Sequence, residues 1–225
     1  MAELRIYSTP SSLFRYRSVD GAKLTQELYA ITGGYIFCPL FSEMNDPMEG
    51  MHREALSYIG QPNTRKDREL IEQEKSKLGI ASFGEVRDHE PMWAYYADQF
   101  KGICVQYSTR SLLDQLPSNV DLVRLAYNEV PPLIVADRAT PLDRAKLTLA
   151  TKNIRWRSER EWRLIAPMRG PAFYREIRAV SSVYLGSRVE PEVEQRIRVE
   201  LEPHRIRVVK MKIAKYKMEF SRDGK

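Results

Sequence analysis

At 225 residues, with 43% hydrophobic and 29% charged side chains, the chain can bury a sizeable core and lies outside the weakly apolar, highly charged compositions that stay disordered. No run approaches the roughly eighteen apolar residues of a membrane span, and the opening Met-Ala-Glu-Leu-Arg-Ile-Tyr has no apolar signal stretch, so a cytoplasmic protein with no membrane partner is expected. Thirty-six basic against thirty acidic residues give a formal charge of +6, which tilts the chain toward polyanions such as nucleic acid. His52, His89 and His204 are scattered and share no ligand spacing with Cys38 or Cys104, so no metal is expected. Both cysteines sit in apolar stretches, as buried reduced thiols do.

In chain order, Ser12–Val19 reads as a strand. Ala22–Ile31 reads as a helix, with Leu24, Leu28 and Ile31 on one face before the breaker Gly33-Gly34. Tyr35–Pro39 is a short apolar strand that leads to the turn Asn45-Asp46-Pro47. Thr64–Leu78 is dense in charge and suits an exposed helix. Gly79–Phe83 and Gly102–Tyr107 read as buried strands paired in one sheet, flanking a short aromatic helix over Pro91–Ala97. Arg110–Leu116, Pro141–Thr151 and Glu192–Leu201 are further helices. Val120–Tyr127, Glu161–Ala166, Val180–Tyr184 and Ile206–Ile213 are further strands. The pattern predicts a single α+β domain over residues 1–225, built on a bent, mostly antiparallel sheet flanked by helices.

Three segments concentrate chemistry. Phe41–Glu49 packs Asn45, Asp46 and Glu49 into a turn beside a strand, either as a capped turn or as a loop site. Pro91–Gly102 carries Trp93 and Tyr96 at helical spacing and an unexplained acid, Asp98, near a helix end. Lys152–Arg163 is the most specific. On an extended backbone Glu159, Glu161 and Arg163 share one face, a pattern that suits either acid/base and cation-stabilising chemistry or an ion-pair ladder with Arg155, Arg157 and Arg163.

Together, Phe14-Arg-Tyr-Arg17, Phe41-x-x-x-Asn45-Asp46-Pro47-x-Glu49, Met92-Trp-x-x-Tyr96-Ala-Asp98-x-x-x-Gly102-Ile-Cys-Val and Lys152-x-x-x-Trp156-x-x-Glu159-x-Glu161-Trp-Arg163 resemble bacterial domain-of-unknown-function family twenty-nine seventy-one. The resemblance covers about residues 12–186. Met44 stands where the family more often has an aromatic, a departure that bears on packing. The layout is also similar to ADP-ribosyltransferases of the DNA-modifying toxin type. That likeness implies an ADP-ribosyltransferase-like fold with NAD as substrate.

On this reading Glu161, or Glu159, is the catalytic carboxylate that stabilises an oxocarbenium ion. Arg15 or Arg17 would hold the pyrophosphate, and Trp93 or Tyr96 would stack on nicotinamide near Asn45 and Asp46. Glu49, Asp98, Lys152, Trp156 and Arg163 are further candidates. A bacterial toxin or anti-phage defence setting follows, with nucleic acid or a protein as acceptor and an antitoxin or defence-system partner protein. The residues leave two alternatives. One is a non-catalytic nucleic-acid or partner-binding module, in which Glu159 and Glu161 merely pair with arginines. The other is a metal-dependent nuclease built on Asp46, Glu49, Glu159 and Glu161 with Lys152 assisting.

Overall fold

The computed structural model describes residues 9–55, 64–135, 139–174 and 177–220. Helices and strands mix in an α+β arrangement, and two compact units divide the chain. The first unit comprises Met1–Tyr35, Phe83–Leu116 and Phe173–Lys225; the second comprises Ile36–Ser82 and Pro117–Ala172. Among the described residues the strands form one four-stranded sheet, one three-stranded sheet and four two-stranded pairs rather than one continuous bent sheet.

The four-stranded sheet belongs to the first unit and runs in the order Ser12–Arg17, Ile103–Ser108, Val180–Leu185, Arg207–Lys210. Its first two pairings are antiparallel and its last is parallel. Phe14, Tyr16, Trp93, Cys104, Tyr184 and Val209 fill a core against it. The helix Ala22–Thr32 buries Leu24, Leu28 and Ile31, as the 3.6-residue period requires, and ends at Gly33 with Gly34 at φ 68°.

The helix Glu90–Tyr96 begins with Pro91 in its first turn and His89 accepting from the Met92 amide at 3.4 Å. It closes into a left-handed turn in which Asp98, Gln99 and Phe100 have φ of 46°, 51° and 71°. Each such residue costs about 1–2 kcal/mol, so the surroundings must enforce the turn. Two glycines do so. A Cβ on Gly102 would lie 2.2 Å from the Arg17 carbonyl oxygen, and one on Gly186 would lie 2.0 Å from that of Phe100. Asp98 thereby finds its explanation as a residue type that tolerates this backbone.

In the second unit Trp162–Ala166 is the middle strand of three, between Gly79–Phe83 and Asp121–Arg124. Gly79–Phe83 and Ile103–Ser108 therefore belong to different sheets, contrary to the expected pairing. Two apolar runs flanking a short helix look alike whether or not they are partners, because sequence carries no signal for which strand lies between them. The helices Thr64–Lys77 and Pro141–Leu149 supply Ile71, Ala145 and Leu149 to a core with Leu78, Ile80, Ile134 and Ile165. A Thr140–Asp143 capping box starts the second of these helices.

Candidate active site

The second unit gathers charge-bearing side chains from four chain segments into one buried cluster. Glu49 arrives from the turn after Asn45-Asp46-Pro47. Asp46 Oδ1 accepts from the Met48 amide at 2.9 Å, the Asp46 carbonyl accepts from the Glu49 amide at 3.1 Å, and Gly50 leaves the turn at φ 68°. Lys75, in the last turn of the helix Thr64–Lys77, donates to the Gly50 carbonyl at 2.8 Å and fixes the turn. Asn45 is exposed, and Asp46 spends its carboxylate on its own backbone, as a turn residue does.

Lys152 comes from the strand Thr151–Asn153, which lies parallel to Ala126–Asn128 with Lys152 opposite Tyr127. Next follows a 3-10 segment, Ile154–Glu159, started by Asn153 Oδ1 accepting from the Arg155 amide at 3.0 Å and ended by Arg160 in the left-handed region at φ 45°. Glu159 closes this segment. Glu161 precedes the strand Trp162–Ala166, and Arg163 stands within it. The extended backbone expected over 159–163 is thus broken at Arg160, and the strand starts at Trp162 rather than Glu161. The two glutamates nonetheless converge, because the break carries both to one ammonium.

Lys152 Nζ donates to Glu159 Oε2 at 2.8 Å and to Glu161 Oε2 at 2.9 Å, and lies 3.6 Å from Glu49 Oε1. Arg163 donates to Glu161 Oε1, Glu49 Oε1 and the Leu149 carbonyl, each at 2.7 Å. All five side chains are buried, with Arg163 at 0% exposure. Burial opposes ionisation of Glu161, but the Arg163 and Lys152 cations outweigh it and bring the carboxyl down to about 2. Burial likewise opposes the charges of Lys152 and Arg163, and the carboxylates overcome it and raise both.

The Trp156 ring lies 4.9 Å from Lys152 Nζ. Tyr127, which sequence reading did not single out, accepts from the Glu161 amide at 2.7 Å, and burial pushes its hydroxyl up to about 12. A lone tyrosine in a short strand gives no local hint of that role. Of the expected ion-pair ladder only Arg163 takes part. Arg155 and Arg157 are exposed and engaged in no ion pair among the described residues.

Two cavities flank the Glu49 turn. One, of about 230 Å³, is lined by Met48, Met51, Asn128, Thr151, Lys152 and Asn153, among others. The second, of about 550 Å³, includes Phe41, Glu49, His52, Arg68, Glu72 and Lys75 in its lining. Glu49 Oε2 is buried with no hydrogen-bond partner.

The remaining candidates belong to the first unit. Arg15 is buried, and Arg17 donates through Nε to Glu27. Trp93 is fully enclosed, with Nε1 donating to the Arg87 carbonyl at 2.7 Å, Tyr16 edge-on at 5.3 Å and Phe100 stacked at 6.2 Å. A ligand finds no open face on that indole. Tyr96 is half-buried at the margin of the same core.

For a metal the donor set is unsuited, because an ammonium and a guanidinium already occupy the space between the carboxylates. Among the described residues no group of three or more His, Cys, Asp or Glu side chains could hold a metal ion, and Asp46 faces its own turn instead. The same residues include no helix long and apolar enough to cross a membrane.

Residues 92–164 match the family model described as Protein of unknown function (DUF2971). The DUF2971 match thus takes in both the left-handed turn after Trp93 and the Lys152–Arg163 cluster, while Glu49 precedes it. None of the curated proteins matches the sequence. A solved structure, that of Thermus sp. 2.9 DarT in complex with ADP-ribosylated ssDNA, is similar at a TM-score of 0.41 and 11% identity, over 91% of this chain and 95% of that one.

Proposed function

We propose that the second unit carries an ADP-ribosyltransferase-like site that takes NAD as substrate, releases nicotinamide and passes ADP-ribose to an acceptor on nucleic acid or protein, in a bacterial toxin or anti-phage setting. One observation carries this reading: Glu49, Glu159 and Glu161 converge on Lys152 and Arg163, and Lys152 lines a cavity. Burying ions costs several kcal/mol each, and an apolar replacement is often as stable. Such a cluster is therefore better explained by chemistry than by stability. The resemblance of the ordered motifs to ADP-ribosyltransferases supplies the reaction class.

In this reading the bond between nicotinamide and ribose breaks, its electron pair leaves with nicotinamide, and positive charge develops on the ribose. Glu159, buried at the end of the 3-10 segment and held by Lys152, is the carboxylate beside that charge. Glu161 has both oxygens engaged and acts as a positioning residue that holds Lys152, which in turn orients Glu159. The 230 Å³ cavity would take one ring end of the dinucleotide rather than its whole length.

A second reading is favoured by the completeness of the Glu161 pairing: the cluster as a structural staple of a non-catalytic binding module. Incubation with NAD, following nicotinamide release by the parent and by Glu159→Gln, separates them. Release by the parent and its loss in a variant of similar melting temperature supports the transferase; no release by the parent and no NAD-induced thermal shift supports the staple.

A further inference from the structure

We infer that the 550 Å³ cavity beside the Glu49 turn binds a small organic ammonium ion, a primary amine on an apolar stem, whose N–H group reaches Glu49 Oε2. The site stands independently of the transferase reading, because neither NAD nor the cavity lined by Lys152 enters it.

Charge points to a cation. The buried cluster sets three carboxylates, those of Glu49, Glu159 and Glu161, against two cations, Lys152 and Arg163, and so carries one negative charge in excess. Glu161 accepts through both oxygens, Glu159 through Oε2 and Glu49 through Oε1. Glu49 Oε2 is the buried oxygen of this cluster with no hydrogen-bond partner among the described residues. Its carboxylate is 8% exposed and lines the cavity. A buried acceptor without a donor bears its whole desolvation cost, which a donor entering the cavity would relieve.

The remaining charges of the lining are already matched. Lys75 lies 2.6 Å from Glu72 and donates to the Gly50 carbonyl at 2.8 Å. Arg68 forks onto both oxygens of Glu54, at 2.7 Å each. Burial and the Lys75 cation hold the His52 imidazole below its ordinary range, so it adds no charge at neutral pH. An anion would thus meet three glutamates, with both lining cations engaged elsewhere.

The donor geometry selects among cations. A metal ion is disfavoured, because among the described residues no group of three or more His, Cys, Asp or Glu side chains could hold one. A guanidinium fork seeks both oxygens of a carboxylate, and Arg163 already takes Glu49 Oε1. An ammonium is a compact donor that a single oxygen can serve.

Phe41, Met51 and Pro131 supply apolar surface for the stem, and the Phe41 ring suits an organic cation. Glu49 and Lys75, at 8% and 3% exposure, form the inner end, whereas Met51, at 52%, stands at the mouth. The amine therefore enters head first, with its stem trailing toward Met51. A volume of about 550 Å³ is within the range that encloses a whole small ligand.

The test is an NMR titration of the full chain with n-hexylammonium at pH 7, without NAD, so that its outcome is independent of nicotinamide release. A Kd near about 1 mM is expected for so small a ligand. Hexanol and hexanoate, which keep the stem and lose or reverse the charge, should bind at least about tenfold more weakly, as should n-hexylammonium to Glu49→Gln. Because Glu49 also serves the buried network, His52→Trp is the second variant: it fills this cavity and not the neighbouring one, and should weaken binding at least about tenfold at a parental melting temperature. If Glu49→Gln fails to fold, His52→Trp decides. No binding by the parent, parental affinity in His52→Trp, or hexanol binding as tightly as n-hexylammonium would overturn the proposal. Tighter binding of butylguanidinium would overturn the choice of an ammonium, and tighter binding of Nα-acetyl-lysine amide would give the cavity to a partner protein's side chain instead of a small amine.

Discussion

Met92–Gly102 and Lys152–Arg163 are about equally rich in unusual residues, yet they close on different physics. In the first, Trp93 is sealed between Tyr16 and Phe100, and the left-handed run Asp98–Phe100 is imposed by backbone that tolerates only glycine at 102 and 186. In the second, charge organises the backbone: Lys152 and Arg163 draw three glutamates together across a break at Arg160. A pattern of aromatics and glycines thus marks a packed turn, whereas a pattern of alternating charge marks a buried network with neighbouring cavities. Both lie within the residues matched by the family model.

The contrast can be attacked from the charge side first. Arg163→Met strands Glu161 and Glu49 in the interior, and urea unfolding should show a loss of about 3–5 kcal/mol; a loss below about 1 kcal/mol would mean that the network does not organise the second unit. On the packing side, Gly186→Ala drives a Cβ into the Phe100 carbonyl oxygen and should cost about 2–3 kcal/mol in the same measurement. A neutral result would remove the explanation of the left-handed turn. Glu161→Gln keeps shape and some hydrogen bonding, so about 1–3 kcal/mol is expected, with the Lys152 and Arg163 partners left unbalanced.

Acid provides a milder probe of the same network. The folded Glu161 carboxyl lies at about 2, below the 4.5 of an unperturbed glutamate, so its stabilising contribution is fully present above about 4.5. That contribution is lost as pH falls toward 2. Chemical denaturation at several pH values should show the parent losing stability through that window and Glu161→Gln losing less. Smallest of all, Arg157→Ala on the exposed 3-10 segment should shift stability by less than about 0.5 kcal/mol, read as a melting temperature close to the parent's.

Much of this was legible in the residues. The helix Ala22–Thr32 announces itself by Leu24, Leu28 and Ile31 and by its glycine stop, and Cys38 and Cys104 are buried as their apolar neighbours imply. The convergence of Glu159 and Glu161 was also readable, though for the wrong geometric reason: alternation along a strand was expected, whereas a left-handed Arg160 delivers them. Strand partnership was not readable, because neither Gly79–Phe83 nor Ile103–Ser108 encodes its neighbour. The burial of Trp93 and the part played by Tyr127 depend on residues distant in sequence, Tyr16 in one case and Glu161 in the other, so no local pattern announced them.

The division of labour between the two glutamates is where the functional reading is most exposed. Nicotinamide release from NAD and the melting temperature should be measured on the same samples of the parent, Glu159→Gln and Glu161→Gln. If Glu159 meets the developing charge and Glu161 holds the network, Glu159→Gln loses at least about a hundredfold in release, more than the loss of its Lys152 pairing explains through melting, and Glu161→Gln loses release only in step with its lower melting temperature. Release that survives in Glu159→Gln, or that falls in both variants only in step with melting temperature, would contradict the assignment of a catalytic carboxylate to this cluster.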